Sequence, residues 1–140
     1  MFLFTLTGCA SKDKITYSDF EKLFNEEDSV MSVTDKVNSE DVISAYVALK
    51  NNNEYQIEFY LIENEIDTKV IYESNYNNVI KNKNDNSVIK EKEGYNYIKF
   101  IMYDLDNYYV ISRVENTLIY VNASVEYKDE IESLLKKIDY

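Results

Sequence analysis

Arg113 is the only arginine among 15 basic residues, and it falls inside an apolar stretch in phase with Tyr109 and Ile111. A guanidinium in a strand has two common uses. It pairs with a carboxylate from a neighbouring strand, or it projects from an open sheet face and grips a ligand carboxylate or phosphate in bidentate fashion. The structural pair is the commoner of the two, and both stay open at the level of sequence. The chain also has 14 tyrosines, whose flat rings stack on sugars and fill interfaces at low entropic cost. Tyr46, Tyr60, Tyr97 and Tyr109 join Arg113 as candidate ligand contacts if they gather on one open face. Otherwise they are ordinary strand residues.

Other chemistry is thinner. Covalent catalysis needs an activated nucleophile with a base in reach. With no histidine and a single cysteine, Cys9, the usual triads are excluded and only a Ser–Lys pair is formally open. Carboxylates are abundant, and a general acid among them would need a pocket that raises its pKa. Asp104-Leu105-Asp106-Asn107 offers hard oxygen ligands suited to calcium. It lacks the glycine and distal glutamate of an EF-hand loop, so Asp104 and Asp106 are weak metal candidates against a plain turn. No cofactor motif is present.

Cys9 takes its meaning from the residues before it. Phe2, Leu3, Phe4, Thr5 and Leu6 form a short apolar run, and Thr7 and Gly8 supply small side chains. Leu6-Thr7-Gly8-Cys9 resembles the lipobox of bacterial lipoproteins and fills all four of its positions. The resemblance implies cleavage between Gly8 and Cys9 and a diacylglycerol on the Cys9 thiol. Residues 1–8 are then a truncated signal peptide, without a basic leader and with an apolar core shorter than the usual ~7–15 residues. Residues 9–16, with Ala10, Ser11, Lys12, Asp13 and Lys14, are then a polar tether, and residues 17–140 a single domain. The implied location is extracytoplasmic, on the outer face of the cytoplasmic membrane. No other apolar run approaches the ~20 residues of a spanning helix, so the membrane partner is reached through the Cys9 lipid alone. The motif says nothing about what the domain binds.

A net charge of −11 repels the domain from anionic lipid. It also argues against nucleic acid, which is captured through Lys and Arg neutralising phosphates. A cationic partner or a merely solvated surface is compatible with it.

These side chains must be positioned by a chain of 140 residues, 45% hydrophobic and 29% charged. That length suits one domain burying roughly two thirds of its unfolded surface. With no proline and only Gly8 and Gly94, turns fall to Asn and Asp, which tolerate left-handed backbone. Ser18 and Glu21 form a capping-box pattern ahead of Phe20, Leu23 and Phe24, which predicts a helix over residues 17–27. Residues 30–40 are mixed, an irregular strand or a crossing loop. Apolar residues 42–50, a turn at Asn51, Asn52, Asn53 and Glu54, and alternation through Tyr55, Ile57, Phe59 and Leu61 predict a β-hairpin. Ile62, Ile66, Val70 and Ile80 on one stripe, widened by Tyr72, Tyr76 and Val79, predict a helix over residues 64–83 lying on the sheet. Residues 82–94, rich in charge, read as an exposed loop.

Strands at residues 95–103, 107–114 and 117–122 follow as a meander. Ser124 then caps a helix that buries Tyr127, Ile131, Leu134, Leu135 and Ile138. The order helix, two strands, helix, three strands, helix is compatible with two diverged helix-then-strands units. It predicts an α+β fold, a two-layer sandwich of about five antiparallel strands with helices on one face. The other face is the expected contact surface. The functional expectation is a non-enzymatic binding or accessory domain whose partner is an extracellular protein or glycan. A carboxylate-based or metal-dependent envelope enzyme would instead show a pocket enclosing several carboxylates, and a purely structural surface protein no concavity at all.

Overall fold

The computed structural model describes residues 10–140. The lipobox residues Leu6, Thr7, Gly8 and Cys9 lie outside the described residues. Among the described residues one antiparallel sheet of seven strands carries three α-helices. In chain order these are α1 (Tyr17–Glu21), β1 (Ser29–Ser32), β2 (Val42–Lys50), β3 (Tyr55–Ile62), α2 (Glu65–Ile80), β4 (Val88–Glu93), β5 (Tyr97–Tyr103), β6 (Asn107–Val114), β7 (Thr117–Ser124) and α3 (Lys128–Lys137). Short 3-10 turns at Thr34–Lys36 and Val125–Tyr127 complete it. The α+β class stands; the strand count and element order differ from those expected.

The two extra strands are the edges of the sheet, whose order is β1-β2-β3-β7-β6-β5-β4. β4 occupies the segment read as a loop, because its Lys90, Glu91, Lys92 and Glu93 are the charged, exposed residues that keep an edge from pairing with another chain. β1 is only four residues long and almost wholly exposed. The expected hairpin is present, with Asn51, Asn52 and Asn53 at φ of 50°, 58° and 68°. Three consecutive left-handed residues without glycine are tolerable because all are asparagine. The two meanders meet where β3 pairs antiparallel with β7.

The helices lie on both faces, not one. Along β6, Tyr108 and Val110 join a core with Phe20 of α1 and Ile131, Leu134 and Leu135 of α3. The alternate residues Tyr109 and Ile111 join Tyr72 and Val79 of α2. Side chains alternate across a strand, so α1 and α3 cover one face and α2 the other. The near-continuous burial of β6 is the mark of a strand covered on both sides. The open face expected as a contact surface is therefore roofed by α2.

Helix details also differ. α1 is capped by Thr16 with Asp19, not by Ser18 with Glu21, and is five residues long. α2 is rotated from the expected stripe: Ile66 and Val70 are 74% and 61% exposed, while Thr68, Tyr72 and Val79 are buried. Its apolar residues are spread around the helix, so no single stripe dictates the packing face. The C-terminal helix buries Ile131, Leu134 and Leu135 as expected, while Tyr127 and Ile138 are only partly buried at its two ends; it begins at Lys128, and the Ser124 side chain makes no cap bond.

Candidate functional site

The strand register builds one cleft. Glu58 on β3 stands directly opposite Tyr120 on β7, and Tyr60 opposite Leu118. Directly opposed residues of an antiparallel pair share a face, so Glu58, Tyr60, Leu118 and Tyr120 all point to the α2 side. A register shift between Val42 and Ser44 in β2 sets Val42 opposite Ile62, against the same apolar cluster. The walls are Val37 and Ser39, after the 3-10 turn, and Ile71 and Asn75 of α2. α2 is set by Asn64, whose side chain accepts from the Asp67 N–H at 2.9 Å. The cleft is open to solvent, with a volume of about 360 Å³.

Glu58 gives this cleft its chemistry. The Tyr60 hydroxyl donates to its Oε1 at 3.1 Å, and no Lys or Arg nitrogen lies within 4.0 Å of it among the described residues. Burial pushes the Glu58 carboxyl above its usual value, with the Tyr60 hydrogen bond opposing. Burial first and the Glu58 charge second likewise raise the Tyr60 and Tyr120 hydroxyls. A carboxylate, two phenols and an amide over an apolar floor form a hydrogen-bonding site with stacking surfaces.

Sequence reasoning named Tyr60 and missed Glu58 and Tyr120. Glu58 sits among the polar alternates of β3, and only pairing with β7 makes it part of a cleft.

The other candidates do not gather there. Tyr109 shares the α2 face, but it is 6% exposed and its hydroxyl accepts from Asn82 Nδ2 at 3.4 Å. Tyr46 and Tyr97 lie on the opposite face: Tyr46 stacks on Tyr17 at a centroid distance of 4.1 Å, and Tyr97 is buried beneath the Lys12 ammonium, 5.0 Å from its ring. The condition that the four tyrosines share an open face is not met.

Arg113 faces α2 as its phase required, across from Ile98 on β5 and Leu118 on β7. It lines a separate recess of about 180 Å³ on the β4, β5 and β6 side of α2, with Lys69, Tyr72, Glu73, Glu93 and Ile98. Among the described residues no carboxylate oxygen lies within 4.0 Å of the Arg113 nitrogens.

Asp104 builds its turn: its Oδ1 accepts from the N–H groups of Asp106 and Asn107, each at 2.8 Å, and its Oδ2 from Asn84 Nδ2 at 2.8 Å. Backbone hydrogen bonds from Asn107 and Asp106 hold its carboxyl below the usual value. Three or more His, Cys, Asp or Glu side chains do not converge as a metal set among the described residues. Ser-x-x-Lys spacings occur at Ser11/Lys14, Ser87/Lys90 and Ser133/Lys136. In none does the serine bond the lysine: Lys14 Nζ donates to Asn116, and Ser87 accepts from the Asn84 N–H.

The segment read as a tether lies along the domain from Ala10 onward. The Tyr95 N–H donates to the Ala10 carbonyl at 2.9 Å. Asn96 bonds both the N–H and the carbonyl of Lys12, at 3.0 and 2.7 Å. Gly94 makes room for this passage, since an added Cβ would sit 2.4 Å from the Ala10 oxygen. No helix of the described residues is long and apolar enough to cross a membrane.

No protein-family model matches the chain, and no curated protein or solved structure matches it. The fold and the site thus define only a class: an α+β domain with two small recesses, each mixing polar and apolar side chains, flanking one helix.

Proposed function

We propose that this chain is a lipid-anchored, extracytoplasmic binding domain that holds a glycan in the cleft between the Thr34–Lys36 turn and α2. The observation that carries the reading is the register of Glu58 against Tyr120 with Tyr60 bonded to the carboxylate. Sugar C–H faces pack on phenol rings, and sugar hydroxyls donate strongly to an ionised carboxylate. Attachment to the outer face of the cytoplasmic membrane rests on Leu6-Thr7-Gly8-Cys9. The net charge of −11 would then hold the domain off an anionic leaflet.

The raised pKa of Glu58 also suits a general acid, which favours glycoside hydrolysis as a second reading. That chemistry normally uses two carboxyl groups roughly 5–10 Å apart. Among the described residues Glu58 is the one carboxylate lining the cleft, so binding without cleavage is the better-supported reading.

Titration of the full chain with soluble oligosaccharides of N-acetylhexosamine units tests it. Saturable binding, weakened about tenfold in Glu58→Gln by loss of a charge-assisted hydrogen bond, is expected. The absence of binding, or equal binding by Glu58→Gln, would sink the reading, and release of shortened sugars would replace it with hydrolysis. The anchor is tested by intact mass and membrane fractionation. Wild type should carry a diacylglycerol mass in the membrane fraction, and Cys9→Ser should not; an unmodified wild type retaining residues 1–8 overturns it.

A further inference from the structure

Arg113 is 7% exposed. Its Nε is buried and makes no hydrogen bond among the described residues, and its Nη1 makes one long bond, 3.4 Å, to the Glu115 carbonyl. No carboxylate oxygen lies within 4.0 Å of its nitrogens among the described residues. A guanidinium presents five donors in a fixed fork, and buried donors left unfilled are costly and rare. Two neutral hydroxyls, on Tyr55 and Tyr108, are also buried without hydrogen-bond partners among the described residues, where Arg113 is the one charged group in that condition.

The recess it lines selects the ligand. Its wall carries two cations, Arg113 and Lys69, two carboxylates, Glu73 and Glu93, and the apolar surfaces of Tyr72 and Ile98. A dianionic phosphate would fill the fork but meet both glutamates. A simple amine would suit the glutamates and meet Arg113 and Lys69, and a neutral sugar would leave the guanidinium without a charged partner.

A molecule carrying one carboxylate and one ammonium a few bonds apart satisfies both sets, and about 180 Å³ accommodates a small one. We infer that this recess binds a small zwitterion of the α-amino-acid class, its carboxylate in the fork of Arg113 and its ammonium towards Glu73 and Glu93. The site lies across α2 from the Glu58 cleft, on other strands, and stands or falls independently of the glycan reading.

The test is a heteronuclear NMR titration of the full chain with the protein amino acids added singly, and with acetate, methylamine and inorganic phosphate as single-charge and dianion controls. Saturable shifts at the Tyr72, Glu73 and Ile98 amides are expected with at least one amino acid, with acetate and methylamine at least about tenfold weaker. Arg113→Gln should weaken that binding by about 10- to 100-fold, the range for hydrogen bonds to a charged group. Arg113→Lys keeps the charge without the fork and should still lose about tenfold; it carries the test if the glutamine variant fails to fold. No saturable shift with any amino acid, tighter binding of phosphate, or undiminished binding by folded Arg113→Lys would each overturn the inference.

Discussion

The two flanks of α2 are complementary in what they lack. On the β2, β3 and β7 side, Glu58 is a half-buried carboxylate with a tyrosine hydroxyl for company and no Lys or Arg nitrogen within 4.0 Å among the described residues. On the β4, β5 and β6 side, Arg113 is a buried guanidinium with no carboxylate oxygen within 4.0 Å among the described residues, although Glu73 and Glu93 line the same recess. Lys50, the other buried cation among the described residues, is paired. Lys50 Nζ donates to Asp28 Oδ2 at 2.8 Å, with side-chain exposures of 9% and 1%, and Asp28 also accepts from the N–H groups of Asn25 and Asn51. The fold thus satisfies an ion pair at Asp28 and, among the described residues, leaves Glu58 and Arg113 without an ion-pair partner beside one helix, where the two proposed binding sites fall.

Asp28→Ala should therefore show the largest effect of all. It leaves the Lys50 ammonium only the part-exposed Glu130 carboxylate, 4.0 Å away, and breaking a buried pair costs about 3–5 kcal/mol, read as a lowered urea midpoint at unchanged m-value. Its pH dependence has a defined sign. Burial works to raise the Asp28 carboxyl, but the Lys50 hydrogen bond and the Asn25 and Asn51 N–H groups outweigh it and hold it below the ordinary 3.8. A carboxyl lowered on folding contributes stability that is present above its unfolded value and lost as the pH falls through its folded one. Wild type should lose this contribution in acid, and Asp28→Ala should have none to lose.

Arg113→Met comes second and should run the other way. Removing a buried guanidinium that has no anion relieves unfilled donors, and a stabilisation of about 1 kcal/mol is expected in the same urea experiment. A loss of several kcal/mol would show that Arg113 is paired in solution, and the contrast with Lys50 would disappear.

Much of this frame is legible in the residues and the decisive parts are not. The β2–β3 hairpin and the β5–β6–β7 meander announce themselves through apolar runs bounded by Asn and Asp, and Asn51, Asn52 and Asn53 take the left-handed conformations their type permits. β4 hides because an edge strand is protected by the same charges that mark a loop. The packing face of α2 is set by Tyr72 and Thr68 meeting the sheet, while Ile66 and Val70 mislead by lying on the outer side. The phase of Arg113 within β6 is readable, but the absence of a partner is a three-dimensional fact. Glu58 enters a cleft only because β3, distant in sequence from β7, pairs with it in a register that sets Tyr120 opposite.

Glu58→Gln gives a smaller change than Arg113→Met, of the same sign and with a pH window opposite to that of Asp28. Burial raises the Glu58 carboxyl above its ordinary 4.5, against the lowering pull of the Tyr60 hydroxyl. Its folded pKa exceeds its unfolded one, so wild type loses stability as the pH rises from 4.5 through the folded value. Glu58→Gln should melt higher than wild type at neutral pH and coincide with it in acid, in paired thermal scans at two pH values. A variant less stable at neutral pH would mean that the carboxylate is held by a cation after all.

The smallest effect should come from Glu93→Gln, and it is the sharpest check on the comparison. Glu93 is an exposed edge-strand residue that lines the Arg113 recess. If its carboxylate does not engage the guanidinium, removing the charge changes unfolding free energy by less than about 0.5 kcal/mol, as for other exposed substitutions. If the side chain swings onto Arg113 in solution, the same substitution strands a buried cation and the cost rises towards the several kcal/mol expected at Asp28. The size of that one number separates a recess waiting for an external carboxylate from one that supplies its own.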